Sequence, residues 1–75
     1  MTQEEFLQEL QDLLRTDVTL TFDTPLDELD EWDSTAMLAV ISFSEDDFGI
    51  SLDVNDFIGF KTPGDIYKRL TVHGN

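Results

Sequence analysis

Asp33-Ser34 is the pair in this chain whose residue types and position together suggest chemistry. It stands in the string Leu29-Asp30-Glu31-Trp32-Asp33-Ser34-Thr35-Ala36-Met37-Leu38, where an acidic, turn-forming stretch gives way to an apolar helical run. A serine at a helix start points out of the fold and lies beside the positive end of the helix dipole, where N–H groups lack intrahelical partners. Such a hydroxyl is well placed to carry a phosphate-linked group. It is poorly placed to be a nucleophile in its own right, which would require a base such as histidine held by a carboxylate. The one histidine, His73, falls in a C-terminus expected to fray. Residues 27–33 form an acidic loop, but it lacks the glycine and distal glutamate of a calcium-binding EF-hand loop, so any divalent binding is expected to be weak and electrostatic. With no metal triad, phosphate loop or acid–base pair in a pocket, an independent enzyme is the least favoured reading.

The elements that position Ser34 follow from the apolar spacing. Phe6, Leu7, Leu10, Leu13 and Leu14 share one helical face, with Glu4, Glu5, Glu9 and Asp12 largely opposite. Thr2 and Glu5 make a capping box, and the helix is expected to end near Arg15, whose cation suits the negative end of the dipole. Residues 16–32 form a long, Thr-rich, acidic connection containing Pro25, which Leu20, Phe22, Leu26, Leu29 and Trp32 pin to the core. Connections of that length inside a small fold are often functional.

The second helix starts with Asp33 as N-cap and is predicted to run to about Phe48, with Gly49 as the stop. Met37, Val40, Ile41, Ser44 and Phe48 are predicted to face inward, and Thr35, Leu38, Ser42 and Glu45 to form a second, solvent-facing stripe. A segment holding Val54, Phe57, Ile58 and Phe60, capped by Asp53 or Asn55 and closed by Gly59, predicts a short third helix. Thr62-Pro63-Gly64-Asp65 is a strong helix start, followed by Ile66, Tyr67 and Leu70 as the buried face of the last helix. No run alternates as a strand would. The expectation is an all-α, small four-helix bundle: three longer helices, a short third one, and a long loop between helices 1 and 2.

Size and charge narrow the functions. A chain of 75 residues is one small domain, 1–75, able to bury roughly 60% of the surface its unfolded chain exposes, which leaves little room for an enclosed catalytic pocket. There are no cysteines, so no disulfide framework and no thiolate metal site. The formal net charge is −13, from 17 acids against Arg15, Lys61, Lys68 and Arg69, which disfavours nucleic acid and anionic lipid and favours basic partners. No signal-peptide pattern and no membrane-spanning apolar run is evident, and a cytoplasmic protein is the default.

Taken together, Asp33-Ser34 at the start of the second helix, the long first loop, Phe48-Gly49-Ile50 at that helix's end and Thr62-Pro63-Gly64-Asp65 before the last helix resemble the acyl carrier protein family over essentially the whole chain. The resemblance implies that Ser34, following Asp33, receives 4′-phosphopantetheine from coenzyme A through a separate phosphopantetheinyl transferase. The arm's distal thiol would hold an acyl group as a thioester. The chain itself would be a monomeric, non-catalytic carrier serving acyl-loading and acyl-transferring enzymes with basic docking surfaces. Thr35, Leu38, Ser42, Glu45 and Asp46 are the candidate partner contacts.

Three departures from the family pattern point to a specialised lipid, polyketide or related pathway and away from general fatty acid synthesis. Thr35 replaces a common apolar anchor, and Ala36 and Ala39 stand where such carriers generally show acids, removing charge from the recognition helix. Glu45, Asp46 and Asp47, with Asp27, Glu28, Asp30 and Glu31, still offer an acidic surface. Trp32 either covers the top of the fold or contacts the arm or a partner. Ser44, at an inward position where the family has a large aliphatic residue, either returns its hydroxyl to the carbonyl of Val40 or marks an interior enlarged for a short or functionalised cargo. The alternatives are a D-alanyl or peptidyl carrier of amino acids, and an unmodified acidic interaction module.

Overall fold

Helix α1 spans Gln3–Leu14 and is set at both ends by local hydrogen bonds. The Thr2 N–H donates to Glu5 Oε1 at 2.8 Å and the Glu5 N–H donates to Thr2 Oγ1 at 3.2 Å, closing the predicted capping box. These bonds favour the charged form and hold the Glu5 carboxyl below its ordinary pKa. At the other end Arg15 takes a left-handed conformation, φ 55°, and the Thr16 N–H returns to the Gln11 carbonyl at 3.4 Å. Arg15 is therefore the backbone stop of α1 as well as a cation beside its end. The computed structural model describes residues 1–71, so the expectation for His73 lies outside the described residues.

After α1 the chain crosses to α2 through a single 3-10 turn, Leu26–Glu28, which the sequence pattern did not announce. Leu20, Leu26 and Leu29 are buried, while Phe22 and Trp32 are half-buried against the core. The loop is also tied by its backbone to the start of the last helix. The Leu26 N–H donates to the Lys61 carbonyl at 2.9 Å and the Gly64 N–H to the Phe22 carbonyl at 3.1 Å. A Cβ on Gly64 would lie 3.0 Å from that Phe22 oxygen, so any side chain there would press on this close crossing of two backbones and push it apart by a few tenths of an ångström.

Helix α2 is α-helical over Ser34–Phe43 and continues as one π-helical turn, Ser44–Phe48, before Gly49 stops it in the left-handed region at φ 67°. The glycine stop stands where the sequence puts it, but the last turn is wider than the expected α-helix. Ser44 explains the difference. Its hydroxyl lies 2.8 Å from the Ile41 carbonyl and 2.8 Å from the Ile50 carbonyl, not on the Val40 carbonyl as its spacing suggested. Its own carbonyl accepts from the Ile50 N–H at 3.1 Å. The serine thus joins the helix end to the chain leaving it, which opens that turn.

The inward face of α2 is also rotated from the prediction. Ala36, Val40, Phe43 and Ser44 are buried, while Met37, Ile41 and Phe48 are only half-buried. Phe43 turns inward because it meets Phe6 of α1, with ring centroids 6.1 Å apart, and Phe48, at 5.6 Å.

The segment Val54–Gly59 is a 3-10 helix whose first residue follows Asp53; the Asp53 N–H donates to Asp56 Oδ2 at 2.8 Å. Of its apolar residues Phe57 is buried, whereas Val54 and Ile58 are exposed. Helix α3, Pro63–Thr71, begins as predicted: Asp65 Oδ2 accepts the Lys61 and Thr62 N–H groups at 3.0 and 3.2 Å, and Thr62 Oγ1 accepts the Asp65 N–H at 3.3 Å. The bond from the Lys61 N–H is the main reason that the Asp65 carboxyl lies below its ordinary pKa.

Helix α1 packs on both α2 and α3. Phe6, Leu10, Leu26, Val40, Ile66 and Leu70 are fully enclosed between them, and Tyr67 closes one side by packing on Phe6 and Phe22, at 5.1 and 5.2 Å. The described residues contain helices and turns and no strand. Among the described residues no helix is long and apolar enough to cross a membrane.

Candidate functional site

The site is built on the junction between the long loop and α2. The turn that delivers the chain is held by backbone bonds from the Trp32 N–H to the Leu29 carbonyl, 3.1 Å, and from the Asp33 N–H to the Glu31 carbonyl, 3.0 Å. Trp32 is half-buried and packs on Phe57, with ring centroids 5.8 Å apart at 44°, and Phe57 in turn packs edge-on against Phe60. Of the two roles open to Trp32, this contact supplies the covering one: the indole fixes the approach to α2 against the 3-10 helix.

Asp33 has extended backbone geometry and its Oδ1 accepts the Ala36 N–H at 2.9 Å, while its carbonyl accepts the Met37 N–H at 3.0 Å. This N-cap was legible in the sequence, and it contributes about 1 kcal/mol in typical helices. With the aspartate committed to the cap, Ser34 is the first residue of the helix and its side chain is exposed.

The N–H groups of the first turn have no intrahelical acceptors and concentrate positive potential at the place where an ester of the Ser34 hydroxyl would sit. An exposed primary hydroxyl, donors at a helix start, and a neighbouring carboxylate held by its own hydrogen bond form a set that suits a covalently attached phosphate. Among the described residues there is no histidine, and the one histidine of the chain, His73, lies outside them.

The remaining candidates separate by position. Thr35, Leu38, Ser42 and Glu45 are all exposed and succeed one another at helical steps, so they form one continuous stripe leading away from Ser34; Asp46 is exposed in the π turn. Leu38 is 64% exposed, an apolar side chain in the middle of an otherwise polar stripe.

Ala36 does not belong to that surface. It is 5% exposed and faces the end of α1, so the reading in which it removed charge from a docking face is corrected: a longer side chain there would extend toward α1 and not onto the exposed stripe. Ala39 is half-buried. Both alanines line an open groove between the end of α1 and the start of α2, together with Leu13, Leu14, Arg15 and Thr35.

Sequence reasoning missed this groove because its walls come from residues distant in the chain; the signal available was the pair of small residues where longer ones are common. It also missed the exposure of Val54 and Ile58, at 63% and 78%, whose four-residue spacing beside Asn55 and Asp56 could have indicated an outward apolar edge. Among the described residues no group of three or more His, Asp or Glu side chains is arranged to hold a metal ion.

The model of the phosphopantetheine attachment site family matches residues 4–70, from α1 through most of α3. No curated protein and no solved structure matches the chain. Domains of that family hold 4′-phosphopantetheine covalently, are generally non-catalytic, and meet a phosphopantetheinyl transferase and the biosynthetic enzymes they serve. With the match extending over nearly the whole chain, on a helical fold that presents an exposed serine at a capped helix start, this protein belongs to the phosphopantetheine attachment site family and is a phosphopantetheine carrier.

Proposed function

We propose that Ser34 is the residue that receives the 4′-phosphopantetheine arm, and that the protein carries acyl intermediates of a specialised lipid, polyketide or related biosynthetic pathway. The observation that carries the assignment is the geometry of one helix start. Asp33 caps α2 through the Ala36 N–H at 2.9 Å, which leaves the adjacent Ser34 hydroxyl exposed beside the first-turn donors. The arm supplies a thiol that holds acyl groups as thioesters, and everything else asked of the protein is presentation. Residues 1–75 act as one monomeric carrier domain in the cytoplasm, without enzymatic activity of their own and without a nucleic acid or membrane partner.

Partner choice is assigned to the exposed stripe of α2. Thr35, Leu38 and Ser42 offer a small contact surface with one apolar knob, and Glu45 and Asp46 add charge for an enzyme with a basic docking surface. A net charge of −13 speeds encounter with such a partner, and the effect weakens as salt rises. A lone Thr35 beside Ser34, in place of a larger apolar residue, supports a dedicated set of enzymes.

The test is the intact mass of the protein after incubation with coenzyme A, magnesium and a broad-specificity phosphopantetheinyl transferase. A gain of one phosphopantetheinyl group that disappears in Ser34→Ala is the expected result. A gain that persists in the variant would place the arm on another residue. No gain from a folded protein with several transferases would leave an acidic interaction module as the better reading.

A further inference from the structure

We propose that the groove between the end of α1 and the start of α2 is a resting site for the arm, with Arg15 opposite its phosphodiester and with Leu13, Ala36 and Ala39 as an apolar floor. The inference rests on the reading of Ser34 as the attachment residue and concerns where this chain's own side chains would hold the group between encounters.

Four observations carry it. The first is continuity: Asp33 and Thr35, the residues on either side of Ser34, both line the groove, so it opens at the point of attachment. Its occupant would therefore be tethered, at an effective concentration in the millimolar range, and modest contacts suffice. The second is size. The groove has a volume of about 440 Å³, within the range of small-molecule sites, and it exists because Ala36 and Ala39 present only a methyl group each.

The third is chemistry. Pantetheine joins a geminal dimethyl group to two amides, so one end of its arm needs apolar contact and the rest needs polar neighbours. Leu13, Leu14, Ala36 and Ala39 supply the first, and the Thr35 hydroxyl and the Arg15 guanidinium supply the second.

The fourth is charge. Glu31 and Asp33 also line the groove and would repel a phosphodiester, and Arg15 is the cation that offsets them in a chain with only 4 Lys and Arg residues. It holds this place at a backbone angle of φ 55°, where glycine would be the less strained stop for α1. The same acids discourage a free anion, which leaves the tethered group as the occupant.

The experiment uses isotope-labelled holo-protein carrying an unlabelled arm, with loading verified by mass before any spectrum is taken. Filtered nuclear Overhauser spectra are expected to show cross-peaks from the geminal methyls to the methyls of Leu13 and Ala39. Ala39→Leu, which fills the groove, is expected to abolish them while Ser34 is still loaded. Arg15→Gln, a change at an exposed position, is expected to weaken them and to move the phosphorus resonance of the arm. Full loading with no such cross-peaks, or with cross-peaks only to residues 54–60, overturns the proposal and leaves the attachment reading intact. Cross-peaks unchanged in both variants overturn it as well. A wild-type protein that cannot be loaded overturns the attachment reading and this one with it.

Discussion

Ser44→Ala removes the hydroxyl that ties the end of α2 to the returning chain. The side chain is fully buried and lies 2.8 Å from two carbonyl oxygens, those of Ile41 and Ile50. The Ile41 carbonyl keeps a second donor, the Ser44 N–H, whereas the Ile50 carbonyl loses the hydroxyl that reaches it. A typical hydrogen bond contributes about 0.5–1.5 kcal/mol net, and leaving a buried acceptor unpaired costs about 1–3 kcal/mol. Alanine's better helix propensity returns a few tenths, roughly up to 0.5 kcal/mol.

The half-buried position of Ile50 lets water recover part of the loss, so the expected destabilisation is about 1–2 kcal/mol. In a domain of this size each kcal/mol lowers Tm by about 4–8 °C. Urea unfolding followed by far-ultraviolet circular dichroism measures the change, with an unaltered m-value showing that the unfolded state is the same. Hydrogen exchange of the Ile50 N–H, which donates to the Ser44 carbonyl at 3.1 Å, reports whether the turn itself has loosened. A loss smaller than about 0.3 kcal/mol with Ile50 still protected would refute the reasoning, because a bond of typical worth could not then be holding the π turn closed.

Three other perturbations test the construction of the site and its surroundings. Asp33→Ala is expected to cost about 1 kcal/mol through the lost cap on the Ala36 N–H, measured by chemical unfolding, and to slow loading of Ser34 more than it lowers stability. The Lys61 N–H holds the Asp65 carboxyl below its ordinary pKa of 3.8, so its contribution is present above that value and is lost as pH falls through the folded pKa. The Tm gap between wild type and Asp65→Asn is therefore expected to be full at pH 7 and to close below about pH 3.8, as read by a pH series of melts. Finally, moderate salt is expected to raise Tm by screening the repulsion behind a net charge of −13; equal melting temperatures at low and moderate salt would count against it.

What the sequence determined by itself is everything that depends on partners three or four residues apart. Thr2 with Glu5, Asp33 with Ala36, and Thr62 with Asp65 start three helices where their spacing says, and Gly49 ends the second, because a cap is completed within one turn of chain. The exposed position of Ser34 follows from the same local rule. Tertiary structure decided the rotation of α2 about its axis. Ala36 to Ile41 and Phe43 give that helix apolar or small residues nearly all round, so the pattern alone fits more than one inward face. Packing on Phe6 selects the face with Phe43 and Ala36 inside. The same distant contacts decide that the Ser44 hydroxyl reaches the Ile50 carbonyl and not that of Val40, and that Arg15 comes to share a groove with the residues flanking Ser34. Each of these joins segments separated by a turn or by the long loop, and no periodicity within one segment can encode which part of another it will meet.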